Sequence, residues 1–371
     1  MRFLSTLTAS VLGTLIALGL VVFFLFFFLF AISFSADTTP TVQPGSVLTV
    51  PIEGPIPERT ADDPFQQAFG GAPGYDLHDL QTALRNAARD DRIEAVWLRM
   101  KGTSAQWGTL QEVRQSVEQV TASGKPVIAS GADFGLGEKE YFVASAADSV
   151  FVGPQSTFEY NGFATILSFF QNAFTELGVE IEVVRAGKYK SAAETFVRSD
   201  LSEANREQLQ ALLNTTNDQF AQTIAADRSV SIEALQSMAT DDPILAASAA
   251  VDEGLIDGIR YEDEVRETIR GLNQVPSNAD LSTVGVSTYK RVPATSAGVT
   301  YTGTGTVDIV YAQGNIVPGD PDESPFGSNQ QVLGSAKLID ALETARTSAS
   351  SKAVVLRINS PGGSASASEA M

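Results

Sequence analysis

Two segments of the chain combine residue types that could perform acyl-transfer chemistry. The first, residues 186–194 (Ala-Gly-Lys-Tyr-Lys-Ser-Ala-Ala-Glu), places Lys188 and Lys190 among small residues. It follows a β-branched run over 181–185 that predicts a strand turning into a helix. A lysine acts as a general base only when desolvation or a nearby cation lowers its pKa toward neutrality. One lysine is therefore a candidate base, and the alternative is a pair of solvated loop lysines.

The second segment is residues 357–364, Arg-Ile-Asn-Ser-Pro-Gly-Gly-Ser, which predicts a strand running into a turn and then a helix. Gly362 and Gly363 would let the backbone approach a bound group and direct N–H donors at it, as an oxyanion hole requires. Ser364 lacks the Gly-x-Ser-x-Gly elbow of serine hydrolases. We interpret Ser364 as a helix N-cap and not as a nucleophile.

Composition excludes several classes of site. A net charge of −19 disfavours binding to nucleic acid or to anionic lipid headgroups. The absence of cysteine excludes disulfides, thiol catalysis and cysteine-based zinc sites. The single histidine, His78, opens an amphipathic helical pattern and is predicted to be a solvated first-turn residue. A hydrolytic site in this chain would therefore use a base other than histidine.

Residues 12–34 are almost uninterrupted apolar sequence, preceded by Arg2 and followed by Asp37. This length favours an uncleaved signal anchor over a secretory signal peptide, although a long cleavable signal peptide remains the alternative. Arg2 places the N-terminus in the cytoplasm by the positive-inside rule, so the bulk of the chain would be exported. Residues 37–46 are predicted to form a short polar stalk.

An internal repeat organises the rest of the sequence. Residues 95–100 (Ala-Val-Trp-Leu-Arg-Met) resemble residues 353–358 (Ala-Val-Val-Leu-Arg-Ile), and the preceding strands and helices match at nearly the same offset. The alternation of strands and helices predicts an α/β fold with largely parallel strands. The predicted units are a cytoplasmic tip with membrane anchor over 1–36, the stalk over 37–46, a complete repeat over 47–275, a linker over 276–305 and the beginning of a second repeat over 306–371.

These segments together resemble the long signal peptide peptidases of the SppA, or protease IV, family. The resemblance rests on residues 187–194, on 200–202 with Arg206 and Glu207, and on 359–364 with 367–369. Residues 124–127, 161–164 and 254–257 add weaker support. It implies a ClpP/crotonase-like fold built as a tandem repeat behind the transmembrane helix.

The resemblance also implies roles for individual residues. Lys190 would be the general base, and Gly362 and Gly363 would line the oxyanion site. The family takes its nucleophilic serine from the second repeat, and the matching first-repeat position falls near Gly137, which has no hydroxyl. The repeat offset places the expected serine roughly two dozen residues beyond Met371. We therefore expect a fragment of a longer protein, inactive by itself.

The expected activity of the parent protein is endoproteolysis of cleaved signal peptides by a Ser/Lys dyad, without a metal or organic cofactor. The resemblance implies a homo-oligomer, tetrameric in the family, anchored by residues 12–34 in a bacterial inner membrane with its bulk in the periplasm. The alternative is a noncatalytic, membrane-tethered assembly module of the same fold. Acyl-CoA chemistry is a third option, but it would need a cytoplasmic site, which the signal anchor disfavours.

Overall fold

The computed structural model describes residues 2–35, 39–60, 74–131, 135–273, 276, 280–321 and 332–371. The strands are β1 (Ser46–Gly54), β2 (Ile93–Thr103), β3 (Val127–Gly131), β4 (Gly135–Leu136), β5 (Ser149–Val152), β6 (Thr157–Glu159), β7 (Ile244–Ala246), β8 (Gly258–Ile259), β9 (Thr283–Gly285), β10 (Thr306–Gln313), β11 (Asn315–Val317), β12 (Val332–Gly334) and β13 (Ser351–Asn359).

The α-helices follow the same chain order, and a short 3-10 helix covers Ala294–Ala297. They are α1 (Arg2–Ser35), α2 (Leu77–Ala87), α3 (Trp107–Ala122), α4 (Glu138–Ala144), α5 (Gln171–Glu176), α6 (Glu194–Val197), α7 (Glu203–Arg228), α8 (Ile232–Asp241), α9 (Ala247–Asp252), α10 (Glu262–Leu272), α11 (Val286–Tyr289), α12 (Ser335–Thr347) and α13 (Ala365–Ala370).

Helix α1 is long and apolar enough to cross a membrane over Ser10–Phe28. Its 34 residues would extend roughly 50 Å at the rise of an α-helix, which exceeds the hydrocarbon core of a bilayer. The apolar side chains of this window are exposed to the surroundings. A signal sequence has the same properties, so length and composition alone give a candidate span.

The largest sheet has the order β8-β5-β3-β2-β1-β9, and every neighbouring pair of strands is parallel. Successive side chains of a strand point to opposite faces, so each strand contributes to two cores. Leu48, Val50 and Leu98 face the larger core with α2 and α3, whereas Val47 and Trp97 face α10 on the other side. The result is a helix–sheet–helix sandwich, which confirms the predicted α/β fold with a parallel sheet.

Strands β10 and β13 repeat the pairing of β1 and β2. Val50 pairs with Leu98 in the first ladder, and Val310 pairs with Leu356 in the second. Both ladders also carry an irregularity after their first residue. Helix α12 packs on this pair through a small core that includes Val310 and Leu338. This shared register is what the internal repeat predicts.

Smaller sheets complete the architecture. Strand β6 lies between β4 and β7, and β11 pairs in parallel with β12. Strand β9 lies inside the range 276–305 that the sequence suggests as a linker, yet it adds to the edge of the largest sheet beside β1. The division of the chain into domains stays a prediction.

The predicted strand over 181–185 is wrong. Residues 177–193 contain no helix or strand, and the side chain of Val184 is 96% exposed. The β-branched run Ile-Glu-Val-Val predicts a strand from local preference alone, but a strand also needs a neighbour to complete its hydrogen bonds. None of the described strands lies beside this segment.

Candidate active site

Lys190 lies in an irregular loop between α5 and α6. Its side chain is exposed, and its Nζ forms no hydrogen bond or ion pair with a described residue. The backbone N–H of Lys190 donates to the carbonyl of Gly187 at 3.5 Å, which closes a tight turn around the two lysines. The ammonium group is therefore available to a partner that the described part of the chain does not provide.

Lys188 differs from Lys190 in its surroundings. Its Nζ lies 3.4 Å from Oε2 of Glu207 and 3.4 Å from the hydroxyl of Tyr189. The hydrogen bonds that Lys188 donates, to Tyr189 first and then to Glu207, raise the pKa of Lys188 above its ordinary value. A raised pKa keeps the side chain protonated, which is the opposite of what a general base needs. Lys188 is thus paired, whereas the Nζ of Lys190 has no partner among the described residues.

The loop is held at its far end by the buried carboxylate of Glu194, a role that the sequence did not reveal. Oε1 of Glu194 accepts hydrogen bonds from Arg185 at 3.1 Å and from the Ser202 hydroxyl at 2.6 Å. Oε2 accepts from the Ser202 backbone N–H at 3.2 Å and from Nδ2 of Asn205 at 3.1 Å. Ser202 is also the N-cap of α7, so Glu194 ties the Lys190 loop to the start of that helix.

Burial alone would raise the pKa of Glu194, but the hydrogen bonds outweigh it. The bonds from Ser202, Asn205 and Arg185 together lower the pKa below its ordinary value of 4.5. The carboxylate is therefore ionised at neutral pH and holds all of its donors. Glu194, the last residue of the segment 186–194, therefore holds the Lys190 loop against the start of α7.

The segment around the loop carries unusually exposed apolar side chains. Phe170 and Phe196 stack with ring centroids 6.3 Å apart, and Phe196 borders an open pocket of about 420 Å³. Ile166 is 95% exposed and Leu177 is 75% exposed. Such a surface is typical of a region that contacts another protein surface or an apolar ligand.

Gly362 and Gly363 form a tight connection between β13 and α13. Their φ angles are 103° and 157°, in the region that favours glycine. A Cβ on Gly363 would lie 2.2 Å from the backbone oxygen of Ile316, so this position excludes any side chain. The Gly362 N–H donates to the Ser360 hydroxyl at 3.1 Å, and Gly363 forms a bridge with Ile316. The backbone therefore approaches its own neighbours closely, and the predicted oxyanion role of the two glycines stays a prediction.

The serines near this turn have structural roles. The Ser364 side chain accepts the Ala367 N–H at 3.2 Å, which confirms Ser364 as the N-cap of α13. Ser360 donates to the carbonyl of Gly314 at 2.7 Å while accepting the Gly362 N–H. Both hydroxyls are used to fix the turn.

The structure does not bring the two predicted segments into contact. Among the described residues, no hydrogen bond or ion pair joins residues 185–194 to residues 357–364. Gly137, the first-repeat position without a hydroxyl, is the N-cap of α4. No cluster of three or more His, Cys, Asp or Glu side chains in the described ranges could hold a metal ion.

His78 departs from its predicted environment. It lies in the first turn of α2 as expected, but its side chain is half-buried and not fully solvated. Its Nδ1 is 3.4 Å from the Tyr311 hydroxyl of β10, a contact across 233 residues. Burial, followed by the charge of Arg59, lowers the pKa of His78 below its ordinary value of 6.5. Local sequence could not show that a distant strand covers this face of the helix.

Arg357, near the end of β13, is paired with two carboxylates that spacing alone could not identify. Its Nε and Nη2 donate to Glu58 at 2.5 and 2.9 Å. Its Nη1 and Nη2 donate to Glu112 at 3.1 and 2.7 Å. Hydrogen bonds to Glu58 and then to Glu112 raise the pKa of Arg357, so the guanidinium stays charged.

Comparison with known proteins identifies a domain within the chain. Residues 119–276, which include the Lys190 loop, match the model of peptidase family S49. The chain carries a peptidase S49 domain. It is 30% identical to the chloroplastic serine protease SPPA of Arabidopsis thaliana over 89% of this chain and 47% of that protein. It is 29% identical to Protease 4 of Salmonella typhi over 79% of this chain and 46% of that protein.

The chain spans about half the length of these curated relatives. One similar solved structure is a mutant of the 1510-N membrane-bound stomatin-specific protease in complex with a substrate peptide. Its TM-score is 0.37 at 15% identity, and the match covers 66% of this chain and 92% of that one. A ClpP1 mutant from Listeria monocytogenes has a TM-score of 0.37 and 12% identity, with coverage of 58% and 92%.

Proposed function

We propose that this S49 chain is the lysine-bearing part of a membrane-anchored serine endopeptidase that works by a Ser/Lys dyad. The observation that carries the proposal is the S49 match over residues 119–276, which contains Lys190. The local geometry supports Lys190 over Lys188 as the base. The Nζ of Lys188 is paired with Glu207, whereas the Nζ of Lys190 has no partner among the described residues. The names of the relatives, a serine protease and Protease 4, agree with this activity.

In the proposed reaction, neutral Lys190 removes the proton of a serine hydroxyl as that oxygen attacks the peptide carbonyl. The lysine then returns the proton to the leaving amine. The turn at Gly362 and Gly363 would line the oxyanion site, and the Gly363 N–H would stabilise the tetrahedral oxyanion, since the Gly362 N–H donates to the Ser360 hydroxyl. The Lys190 side chain is exposed, so further protein surface would have to cover the loop before the lysine acts as a base. The serine and that surface would come from the part of the relatives' length that lies outside the match.

Helix α1 supports a membrane location for the enzyme. Its Ser10–Phe28 window would anchor the chain in a bacterial inner membrane, with the S49 domain on the periplasmic side as Arg2 directs. The substrates would be cleaved signal peptides, which are apolar and remain at the bilayer. An oligomer, a tetramer by family resemblance, would enclose them above the membrane.

The test is peptide cleavage by the full-length protein with Lys190→Ala, and Lys188→Ala is the matched control from the same loop. Removal of a general base should lower kcat/KM by roughly 10²–10⁴-fold. Lys188→Ala should keep activity within about threefold, because the ion pair with Glu207 is exposed and weak. Full activity of Lys190→Ala would overturn the lysine assignment.

One observation favours the second candidate, a noncatalytic membrane-tethered assembly module. The apolar side chains Ile166, Leu177 and Val184 are exposed on one segment, as an assembly contact would require. Light scattering on the same variants separates the candidates. If the protein is a peptidase, Lys190→Ala should lose peptide cleavage while the mass of its oligomer stays that of the wild type. If the protein is an assembly module, neither the wild type nor any variant should cleave peptides.

A further inference from the structure

Arg357 connects three parts of the fold through one guanidinium group. Glu58 lies in the loop after β1, Glu112 lies on α3, and Arg357 itself lies near the end of β13. The arginine makes a two-bond contact with each carboxylate, with N–O distances between 2.5 and 3.1 Å. The Glu58 side chain is only 8% exposed. A buried, doubly bonded carboxylate of this kind fixes geometry far better than a surface ion pair does.

The contact continues along β13 toward the glycine turn. Nδ2 of Asn359 donates to Oε1 of Glu58 at 3.2 Å, and the carbonyl of Asn359 accepts the Gly314 N–H at 3.0 Å. Ser360 then bonds both Gly314 and the Gly362 N–H. An unbroken series of hydrogen bonds therefore leads from Glu58 to the backbone of Gly362.

We propose that Arg357 is a positioning residue, which docks β13 on the first repeat through Glu58 and Glu112 and thereby fixes the Gly362–Gly363 turn and the direction of its Gly363 N–H. The inference rests on the proposed function, because that turn acts as the oxyanion site there. Arg357 does not touch the reacting atoms. It acts through Asn359 and Ser360.

The repeat supplies a natural comparison. Arg99 occupies the same place in β2 as Arg357 does in β13, and it is exposed to the same degree, 29% against 31%. Arg99 pairs with Glu262, and its guanidinium also lies over the ring of Trp97. Its contacts stay within the first repeat. Arg99 is therefore a matched arginine whose loss leaves the docking of β13 intact.

His78 provides a reporter for docking that does not depend on activity. It is the only histidine, and it contacts Tyr311 on the strand beside β13. Arg59 makes the neighbouring contacts, two hydrogen bonds with the Gln313 side chain. The charged groups that act on the imidazole are Arg59, Asp76, Asp79 and Arg85. Separation of β10 from α2 would expose the imidazole and change its chemical shift.

The experiment compares Arg357→Gln, Arg357→Lys and Arg99→Gln in the full-length, histidine-tag-free protein. Steady-state cleavage gives kcat and KM, and histidine-selective ¹³C labelling gives the His78 signal in NMR spectra. Arg357→Gln should lower kcat at least tenfold with KM within about threefold, and it should move the His78 signal. Arg357→Lys should recover only part of kcat, because a lysine cannot make both two-bond contacts. Arg99→Gln should change neither quantity.

Each other result overturns part of the proposal. A lower kcat with an unmoved His78 signal would show that Arg357 does not act through docking. A moved signal with normal kcat would show that docking does not position the turn. If the wild-type protein cleaves no peptide, the proposed function and the positioning role both fail. The His78 signal of Arg357→Gln then shows only whether Arg357 docks β13 on the first repeat. If Arg357→Gln does not fold, Glu112→Gln replaces it in the experiment. The proposal then expects a smaller decrease in kcat and a smaller movement of the His78 signal. An unchanged kcat and an unmoved signal in Glu112→Gln would overturn the proposal.

Discussion

Nη1 of Arg185 donates to Oε1 of Glu194 at 3.1 Å, and this contact closes the loop that carries Lys190. The two residues lie on either side of the lysine motif, so their ion pair sets the width of the loop. Glu194 is buried and takes three further hydrogen bonds from Ser202 and Asn205. The position of the proposed base therefore depends on a carboxylate that does no chemistry itself.

Replacing Glu194 by glutamine should loosen the Lys190 loop. The substitution removes the charge that binds four donors, at a cost of about 1–3 kcal/mol to local stability. Hydrogen exchange of peptides covering 185–205 should then be roughly 5–150-fold faster than in the wild type. Glu182→Gln is the control, since Glu182 is an exposed residue of the same segment. Equal exchange in Glu194→Gln and Glu182→Gln would contradict the anchoring role.

The same anchor gives a pH dependence with a definite sign. The folded-state pKa of Glu194 is lowered below 4.5, so the ionised carboxylate stabilises the folded loop. That stabilisation is complete above about pH 4.5 and is lost as the pH falls through the folded-state pKa. After correction for intrinsic exchange rates, wild type and Glu194→Gln should differ at neutral pH and converge in acid. A difference that persists at low pH would show that the charge is not the cause.

Substituting alanine at Gly363 should disrupt the turn after β13. The new Cβ would lie 2.2 Å from the carbonyl oxygen of Ile316, and backbone atoms cannot move aside cheaply. At Gly362 the φ of 103° is also strained for alanine, but no atom lies within 4 Å of the added Cβ. We expect Gly363→Ala to lose about 1–3 kcal/mol more than Gly362→Ala in chemical denaturation. Equal losses would show that the bridge to Ile316 does not constrain the turn.

Arg114 should be one of the most sensitive residues of the first repeat. It is buried, and its guanidinium bonds Asp227 on α7 at 2.7 and 2.8 Å, the Ser145 hydroxyl at 2.8 Å and the Phe142 carbonyl at 2.7 Å. Arg114→Met removes the donor of all four bonds and leaves the Asp227 carboxylate without its arginine, so a loss of about 3–5 kcal/mol in unfolding free energy is expected.

Arg198→Met is the control for Arg114, because the ion pair of Arg198 with Asp200 is exposed and should contribute only about 0–1 kcal/mol. Denaturant titrations followed by circular dichroism measure both variants. Similar losses in the two would contradict the importance of the buried Arg114 network.

Local sequence patterns predicted those strands, helices and helix caps that depend on residues close together in the chain. The predicted alternation of strands and helices became the parallel sheet with its covering helices, and Ser364 is the N-cap of α13 as predicted. The similarity of residues 95–100 to 353–358 also predicted two ladders with one register. These features depend on neighbours in the chain, so the sequence carries them directly.

Contacts between residues far apart in the chain could not be predicted from local sequence patterns. Arg357 meets Glu58 across 299 residues, and His78 meets Tyr311 across 233 residues, with no spacing rule that links either pair. The run at 181–185 shows the opposite error, since its strand preference is strong but no described strand is available to pair with it. Lys190 could be selected over Lys188 by resemblance, whereas the physical difference, the pairing of Lys188 with Glu207, required the structure.

We propose that Lys190 activates a serine from the part of the relatives' length that lies outside the match. The most direct measurement is labelling of the full-length protein with a fluorophosphonate, followed by mass spectrometry to locate the modified serine. The account predicts one labelled serine in that part of the protein, with labelling lost in Lys190→Ala and kept in Lys188→Ala. Labelling of Ser360 or Ser364, or undiminished labelling in Lys190→Ala, would contradict it.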